Sequence, residues 1–518
     1  MSKAAEPLPT EPPQQEEVAL RSARDTYGWL ASFGVHAVAL VLLALLTLPP
    51  IPLGDSFNLL GDAPPNEQID DAISLEETLF DLSTDDLNQP LESAMDAPMA
   101  PPTPDALAVA PAPALDLSSL LSTSAIATPT DSAAAVVSGS GTDGRSAVGK
   151  AALVAAKGGS PASEAAVARG LKWISQHQNP DGSWSLNHAA GACRGRCGNP
   201  ASNKDGKLIE NTTASATGLA LLPFLGAGET HQSGRHRKVV AAGLDALIRQ
   251  GKKDKDNPGL SWADSGNLYA HGISTICLCE AYGITGDPSL RAPAQAALDY
   301  LAYAQDPKGG GWRYRAQQEG DTSVTGWQIM GLKSGMLAEL KTPRRVVNRA
   351  SKFLDALSAA GGSQYGYVIN YEEGEDDEEK VAKPVGGRPT TSAVGLLCRM
   401  YLGWDQSDAR LAKGVKRLSD RGPISGNFYH NYYAAQAIFH QTGGVGAVWR
   451  KWNEATREML VEQQSTRGHE RGSWYVKGGH TQRGGRLYTT AMATMTLEVY
   501  YRYLPLYKAE AVSFELPD

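Results

Sequence analysis

Residues 161–505 read as an all-α domain, an α6/α6 toroid, preceded by one transmembrane helix and a disordered linker. Three observations lead there. Amphipathic helical stretches alternate with more apolar ones six times. The turns that join them carry Gly and aromatic residues. The second stretch of a pair is nearly free of charge, as in Ala491-Met-Ala-Thr-Met-Thr-Leu497. One hairpin cannot bury its own apolar face, so hairpins repeated along a chain stack into a solenoid or close into a ring. An open solenoid would leave one helix layer wetter, and the uncharged stretches therefore favour a ring of two concentric helical layers.

The chain has 518 residues and a formal net charge of -8, from 48 basic and 56 acidic side chains. That figure joins two unlike parts. Residues 1–160 hold six basic and 21 acidic groups, a net of −15, and residues 161–518 hold 42 and 35, a net of +7. The 42% hydrophobic content supports a large core, which excludes wholesale disorder. Five cysteines cannot frame a disulfide scaffold. The basic excess is spread out without Lys/Arg runs, so no nucleic acid is expected as a partner.

In chain order, residues 1–28 read as a cytoplasmic tail. Residues 29–48 contain no Asp, Glu, Lys or Arg, and twenty helical residues at about 1.5 Å each span the roughly 30 Å hydrocarbon layer. Tyr27 and Trp29 suit the interface, and Pro49-Pro50 ends the helix. No small-x-small cleavage site or lipobox cysteine follows, which favours an uncleaved anchor over a signal peptide. Arg21 and Arg24 precede the span and no basic residue follows until Arg145. The positive-inside rule then leaves the N-terminus cytoplasmic and the rest periplasmic or extracellular. Residues 49–160 are acidic and then rich in Ala and Pro, with no core-building period, so they read as a disordered tether. Residues 506–518 form a C-terminal tail.

Within the toroid the first outer helix places Val167, Leu171 and Ile174 on one face. Later outer helices fall near 237–250, 290–305, 344–359, 408–419 and 447–464. Inner helices fall near 214–225, 269–283, 322–338, 390–403, 429–441 and 489–503.

Arg169-Gly-Leu-Lys-Trp-Ile174 followed by Gln178-Asn-Pro-Asp-Gly-Ser-Trp184 resembles the Gln-Trp repeat of squalene cyclases and protein prenyltransferases. Gln305 to Trp312 and Gln464 to Trp474 look like further copies. The resemblance covers residues 161–505 and implies the α/α toroid of that superfamily. Fold and function separate here. Cyclases of the family protonate an alkene with Asp-x-Asp-Asp followed by Thr, and the matching stretch reads Gln318-Glu-Gly-Asp-Thr322, with Gly320 where the acid is expected. The zinc ligands of the prenyltransferases fall, under the same resemblance, on Val394, Leu396 and Thr489. The Cys-Gly-Glu-Gln thioester motif of complement-like toroids is absent too. Trp184, Trp312 and Trp474 read as structural staples, with Trp over a helix end and Gln meeting free backbone groups.

Polar and aromatic residues gather where the inner helices begin: Tyr269-Ala-His271, Asp321 to Trp327, Tyr429 to Tyr433 and Gly484 to Tyr488. Asp321 reads first as an N-cap. As catalytic candidates, Asp321 and His271 would be acid and base. Trp327, Tyr429, Tyr432, Arg486 and Tyr488 are the ligand-binding candidates. Arg486 would hold a carboxylate, a phosphate or a helix end. Cys193 and Cys197, with His188 nearby, rank as a local disulfide first, free thiols second and part of a metal site third, because only three of the four ligands zinc prefers can be named. Cys277, Cys279 and Cys398 read as core. The acidic run from Glu372 to Glu379 reads as a solvated loop.

The substituted motifs point to a membrane-anchored, extracytoplasmic ligand-binding or scaffold module without cyclase or prenyltransferase activity, and with no cofactor. The alternative is an enzyme acting on an isoprenoid lipid or a glycan in the toroid bowl. The expected partners are the membrane, through residues 29–48, and an isoprenoid lipid, glycan or protein ligand.

Overall fold

The computed structural model describes residues 147–502, apart from 204, 254, 265–266, 370, 374–379, 383–385 and 478–480. The anchor at 29–48, most of the tether at 49–160 and the tail at 506–518 lie outside the described residues, as does most of the acidic run after Glu373. Among the described residues no helix is long and apolar enough to cross a membrane.

The end of the stretch assigned to the tether is helical. Helix α1 (Ala147–Lys157) packs on the short C-terminal helix α14 (Val499–Arg502). Its Ala-rich sequence looks like linker by composition, yet Ala is also the best helix former, and here a packing partner is available.

Six outer helices follow the amphipathic stretches: α2 (Pro161–Gln176), α4 (Arg237–Arg249), α6 (Pro288–Ala304), α8 (Arg344–Ala356), α10 (Ala409–Arg421) and α12 (Gly446–Gln463). Each buries one stripe, as α10 buries Leu411, Val415 and Leu418 at i, i+4 and i+7. Six inner helices alternate with them: α3 (Thr213–Gly226), α5 (Leu268–Thr285), α7 (Thr322–Leu337), α9 (Pro389–Tyr401), α11 (Phe428–Thr442) and α13 (Thr481–Leu497). Inner helices are buried nearly all round, and every residue of α3 from Ala214 to Gly226 is covered. Around the ring α3 packs on α5, α5 on α7, α7 on α9, α9 on α11, α11 on α13, and α13 back on α3. That last contact makes the array a closed toroid. Between α8 and α9 lie two small antiparallel ribbons, β1 (Ser358–Ala359) with β2 (Gln364–Tyr365) and β3 (Tyr371–Glu373) with β4 (Lys380–Ala382).

The Gln-Trp turns hold the layers. The indole N–H of Trp184, Trp312 and Trp474 donates to the carbonyls of Ile174, Leu301 and Leu460, which end the preceding outer helices. Gln178, Gln305 and Gln464 each donate to two carbonyls: one in the turn (Gly182, Gly310, Gly472) and one in the next outer helix (Val239, Val346, Ala166). The last of these crosses the seam from α12 to α2. The turn glycines have φ of +88°, +81° and +95°, and an added Cβ would meet the carbonyls of Ala242, Arg349 and Arg169. The positions therefore need glycine both for backbone conformation and for close approach. Trp262 is a fourth staple, donating to Leu247 O at 2.6 Å.

Candidate functional site

The four polar-aromatic sets sit at the N-terminal ends or first turns of the inner helices, as the sequence order requires. Asp321 is the N-cap of α7: Oδ1 accepts the N–H groups of Ser323 and Val324 at 2.9 and 2.8 Å. Oδ2 has no hydrogen-bond partner among the described residues, and Arg313 Nε lies 3.8 Å away. The side chain is 0% exposed. Burial pushes its carboxyl up to about 7, against the lowering effects of the Val324 N–H, Arg313 and the Ser323 N–H. Asp264 provides a contrast. It caps α3, but there both oxygens are used, by Ala214 N, Ser215 N and Ser215 Oγ.

Tyrosines surround Asp321. Burial first, then the Asp321 carboxyl, holds Tyr269 and Tyr367 well above the usual phenol range. The Tyr314 and Tyr367 hydroxyls are 3.4 Å apart, and Tyr429 donates to Ser323 O at 3.1 Å. The hydroxyls of Tyr269, Ser323 and Tyr488 are buried without a hydrogen-bond partner. Trp327 and Tyr432 stack at 5.9 Å between centroids and an interplanar angle of 17°, with Tyr429 at 6.4 Å from Trp327. Three of the five ligand-binding candidates thus form one aromatic group between α7 and α11.

His271 is placed differently. Nδ1 accepts the Trp262 N–H at 3.2 Å, and Nε2 donates to Ala297 O at 3.0 Å. Burial holds the ring down to about 4, so it is neutral near pH 7. Both nitrogens are engaged, and no hydrogen bond joins His271 to Asp321 among the described residues. The expected acid–base couple therefore lacks the contact it needs.

Arg486 faces the ring seam. It donates to Gly198 O at 3.2 Å and Ser473 Oγ at 3.0 Å and pairs with Glu470 at 2.9 Å. The carboxylate it holds is thus the chain's own. Close by, Cys193 and Cys197 are free thiols, not the disulfide ranked first from sequence. Cys197 Sγ lies 3.4 Å from His177 Nε2 and 3.1 Å from His469 Nδ1, and Cys193 Sγ lies 3.8 Å from His469 Nδ1. His188 is not in this group; its ring packs edge-on against Trp173 and His177 at 5.6 and 5.8 Å.

The positions that the Gln-Trp resemblance matches to cyclase and prenyltransferase catalytic groups are closely packed. A Cβ on Gly320 would stand 2.6 Å from Gly311 Cα and 2.9 Å from both Gly311 C and Phe353 Cε2. Val394 and Leu396 are 0% exposed within the core. Thr489 donates to Trp474 O at 2.5 Å.

Sequence reasoning missed His177, His469, Asp264, Trp262 and the Tyr314–Tyr367 pair. His177 adjoins Gln178 of the first repeat and His469 lies in the last one, so the available signal was the ring itself, which brings those two turns together.

No family model matches the chain, and no curated protein sequence does. Among solved structures, an inactive variant of an α-1,6-mannanase from a Salegentibacter species, in complex with α-1,6-mannotriose, is 11% identical, with 66% of this chain and 99% of that chain covered and a TM-score of 0.44. A type II terpene cyclase from Scytonema, in complex with geranylgeranyl dihydroxybenzoate, is 13% identical over 66% and 97%, at 0.42. A family 76 glycoside hydrolase (mannosidase) from Bacteroides thetaiotaomicron is 12% identical over 66% and 98%, at 0.44. The chain is an α/α toroid on the evidence of its own ring, in which α13 packs back on α3.

Proposed function

We propose that the chain is an extracytoplasmic α/α-toroid binding module, held at a membrane by residues 29–48, that takes a hydroxyl-bearing ligand at the N-terminal end of its inner helices. In this reading it catalyses neither alkene-protonating cyclisation nor protein prenylation. Asp321 carries the proposal: a buried carboxyl whose Oδ2 is unpartnered among the described residues, as are the neighbouring hydroxyls of Tyr269 and Ser323. Each such group costs about 1–3 kcal/mol when left unmade, and a ligand bearing hydroxyls would complete them where an alkene would not. The close packing at Gly320 supports the second half of the reading, because no acid side chain fits there.

An enzyme acting on a glycan is the second reading, favoured by a carboxyl pushed up to about 7. Glycoside hydrolysis generally uses two carboxylates, and among the described residues the groups that set Asp321 are burial, two N–H groups and Arg313. Binding is therefore the main reading.

The test is thermal unfolding of the full-length protein in detergent, with α-1,6-mannotriose as a neutral polyol probe and geranylgeraniol as an isoprenoid probe. The polyol should raise Tm in the wild type and not in Asp321→Asn, which keeps the cap at Oδ1. A rise with geranylgeraniol alone, or with neither probe, would overturn the assignment.

A further inference from the structure

We propose that His177, Cys193, Cys197 and His469 form a structural zinc site that closes the toroid at its seam. The four donor atoms lie within 4.8 Å of one another. Zinc bonds of about 2.3 Å to sulfur and about 2.0–2.1 Å to nitrogen set tetrahedral neighbours about 3.3–3.8 Å apart. The Cys197–His177, Cys197–His469 and Cys193–His469 separations are 3.4, 3.1 and 3.8 Å. Small side-chain adjustments bring such a set onto one ion.

The surrounding groups already orient the ligands. His177 Nδ1 meets Trp173 O at 2.7 Å. A carbonyl can only accept, so the proton sits on Nδ1 and the lone pair of Nε2 points at Cys197. The backbone N–H of Cys197 donates to Cys193 Sγ at 3.2 Å, a contact that fixes the position of the sulfur. His177, Cys193 and Cys197 are buried, and two thiolates would neutralise a dication in that setting. Arg486, beside the site, is matched by Glu470. Two sulfurs and two imidazoles in a tetrahedral arrangement select zinc over calcium or magnesium. Four protein ligands leave no open position for water or substrate, so the ion is structural and not catalytic.

The place of the site in the ring gives it its role. His177 caps the C-terminus of α2, and Cys193 and Cys197 lie in the α2–α3 connection. His469 lies in a 3-10 turn of the α12–α13 connection. Cys197 and His469 are 272 residues apart, so one ion ties the first hairpin to the last. It stands beside the Gln464–Ala166 bond across the same seam. A Cys193–Cys197 disulfide would close only a short local loop and would consume two of the four ligands.

The test uses the reduced full-length protein in detergent. Elemental analysis should find one zinc per chain. After removal of the zinc, cobalt(II) should give thiolate charge-transfer and tetrahedral d–d bands that saturate at one equivalent and are displaced by zinc. Cys197→Ser and His469→Ala should each lose that saturating spectrum, whereas His188→Ala should keep it. Chelation of the wild type should lower Tm and expose the 185–212 connection to protease, a readout that does not depend on any variant folding. Absence of a saturable cobalt spectrum would overturn the site, as would a spectrum kept in full by both Cys197→Ser and His469→Ala. An unchanged Tm after complete zinc removal would overturn the ring-closing role.

Discussion

His271 Nδ1 accepts the backbone N–H of Trp262 at 3.2 Å. The same bond recurs at the fourth or fifth residue of four other inner helices and, at α13, in the turn after the Gly485 kink. Thr217 receives Trp184, Thr325 receives Trp312, Ser392 receives Tyr365, Asn431 receives Ile424 and Thr490 receives Trp474. His271 is thus one member of a sixfold structural series that ties each incoming turn to its inner helix.

That series makes His271 a stability residue. His271→Ala strands the buried Trp262 N–H, and should cost about 1–3 kcal/mol. His271→Asn, which supplies an acceptor as Asn431 does, should recover part of the loss. Denaturant unfolding of the two variants checks this; equal losses would contradict it.

Acid should unfold the toroid through its buried histidines. Burial holds His271 down to about 4 and, with smaller contributions from Arg421 and Lys333 respectively, holds His430 and His440 down to about 3. As pH falls from about 6.5 to about 4, the unfolded chain takes up protons that the fold refuses, so stability is lost across that window. His271 alone accounts for on the order of 3 kcal/mol at about 1.4 kcal/mol per unit. Tm should fall steeply over this range. A flat profile would contradict the burial.

Asp321 has the opposite sign. Its folded value is raised to about 7, so its contribution is lost as pH rises from about 4 to about 7. Asp321→Asn retains the cap and removes the titration. Its Tm relative to wild type should be nearly unchanged at about pH 4 and higher at about pH 8, by an amount equivalent to on the order of 1–4 kcal/mol. A loss larger at about pH 8 than at about pH 4 would show that Oδ2 is stabilised as a carboxylate.

Gly310→Ala should destabilise by about 1–3 kcal/mol or more, from a φ of +81° and a Cβ aimed at Arg349 O. Gly286→Ala is the control. Its φ is also positive, but nothing lies within 4 Å of the added Cβ, so it should cost less in the same chemical unfolding experiment.

Helix periodicity made the twelve ring helices legible, and Gln-Pro-Gly-Trp chemistry made three of the staples legible, because both are local. Trp262 escaped because the insertion 251–259 separates it from Gln250, and Tyr365 because a tyrosine stands where the repeat has Trp. The Asp321 cap was legible from Asp-Thr-Ser; its unpartnered Oδ2 was not, since that depends on tyrosines from other inner helices and the 366–369 loop. Nearness in sequence offers His188 as a third donor beside Cys193 and Cys197. The structure instead brings His469 to these cysteines through ring closure, a relation no local pattern encodes.

The proposal that this toroid carries out neither alkene-protonating cyclisation nor protein prenylation is tested most directly by product analysis after the full-length protein is incubated with squalene, and separately with farnesyl diphosphate and a cysteine-terminated peptide. With Gly311 packed against Gly320, and with Val394, Leu396 and Thr489 at the metal positions, neither cyclised hydrocarbon nor prenylated peptide should form above the no-protein control. Cyclised product that disappears in Asp321→Asn would contradict it.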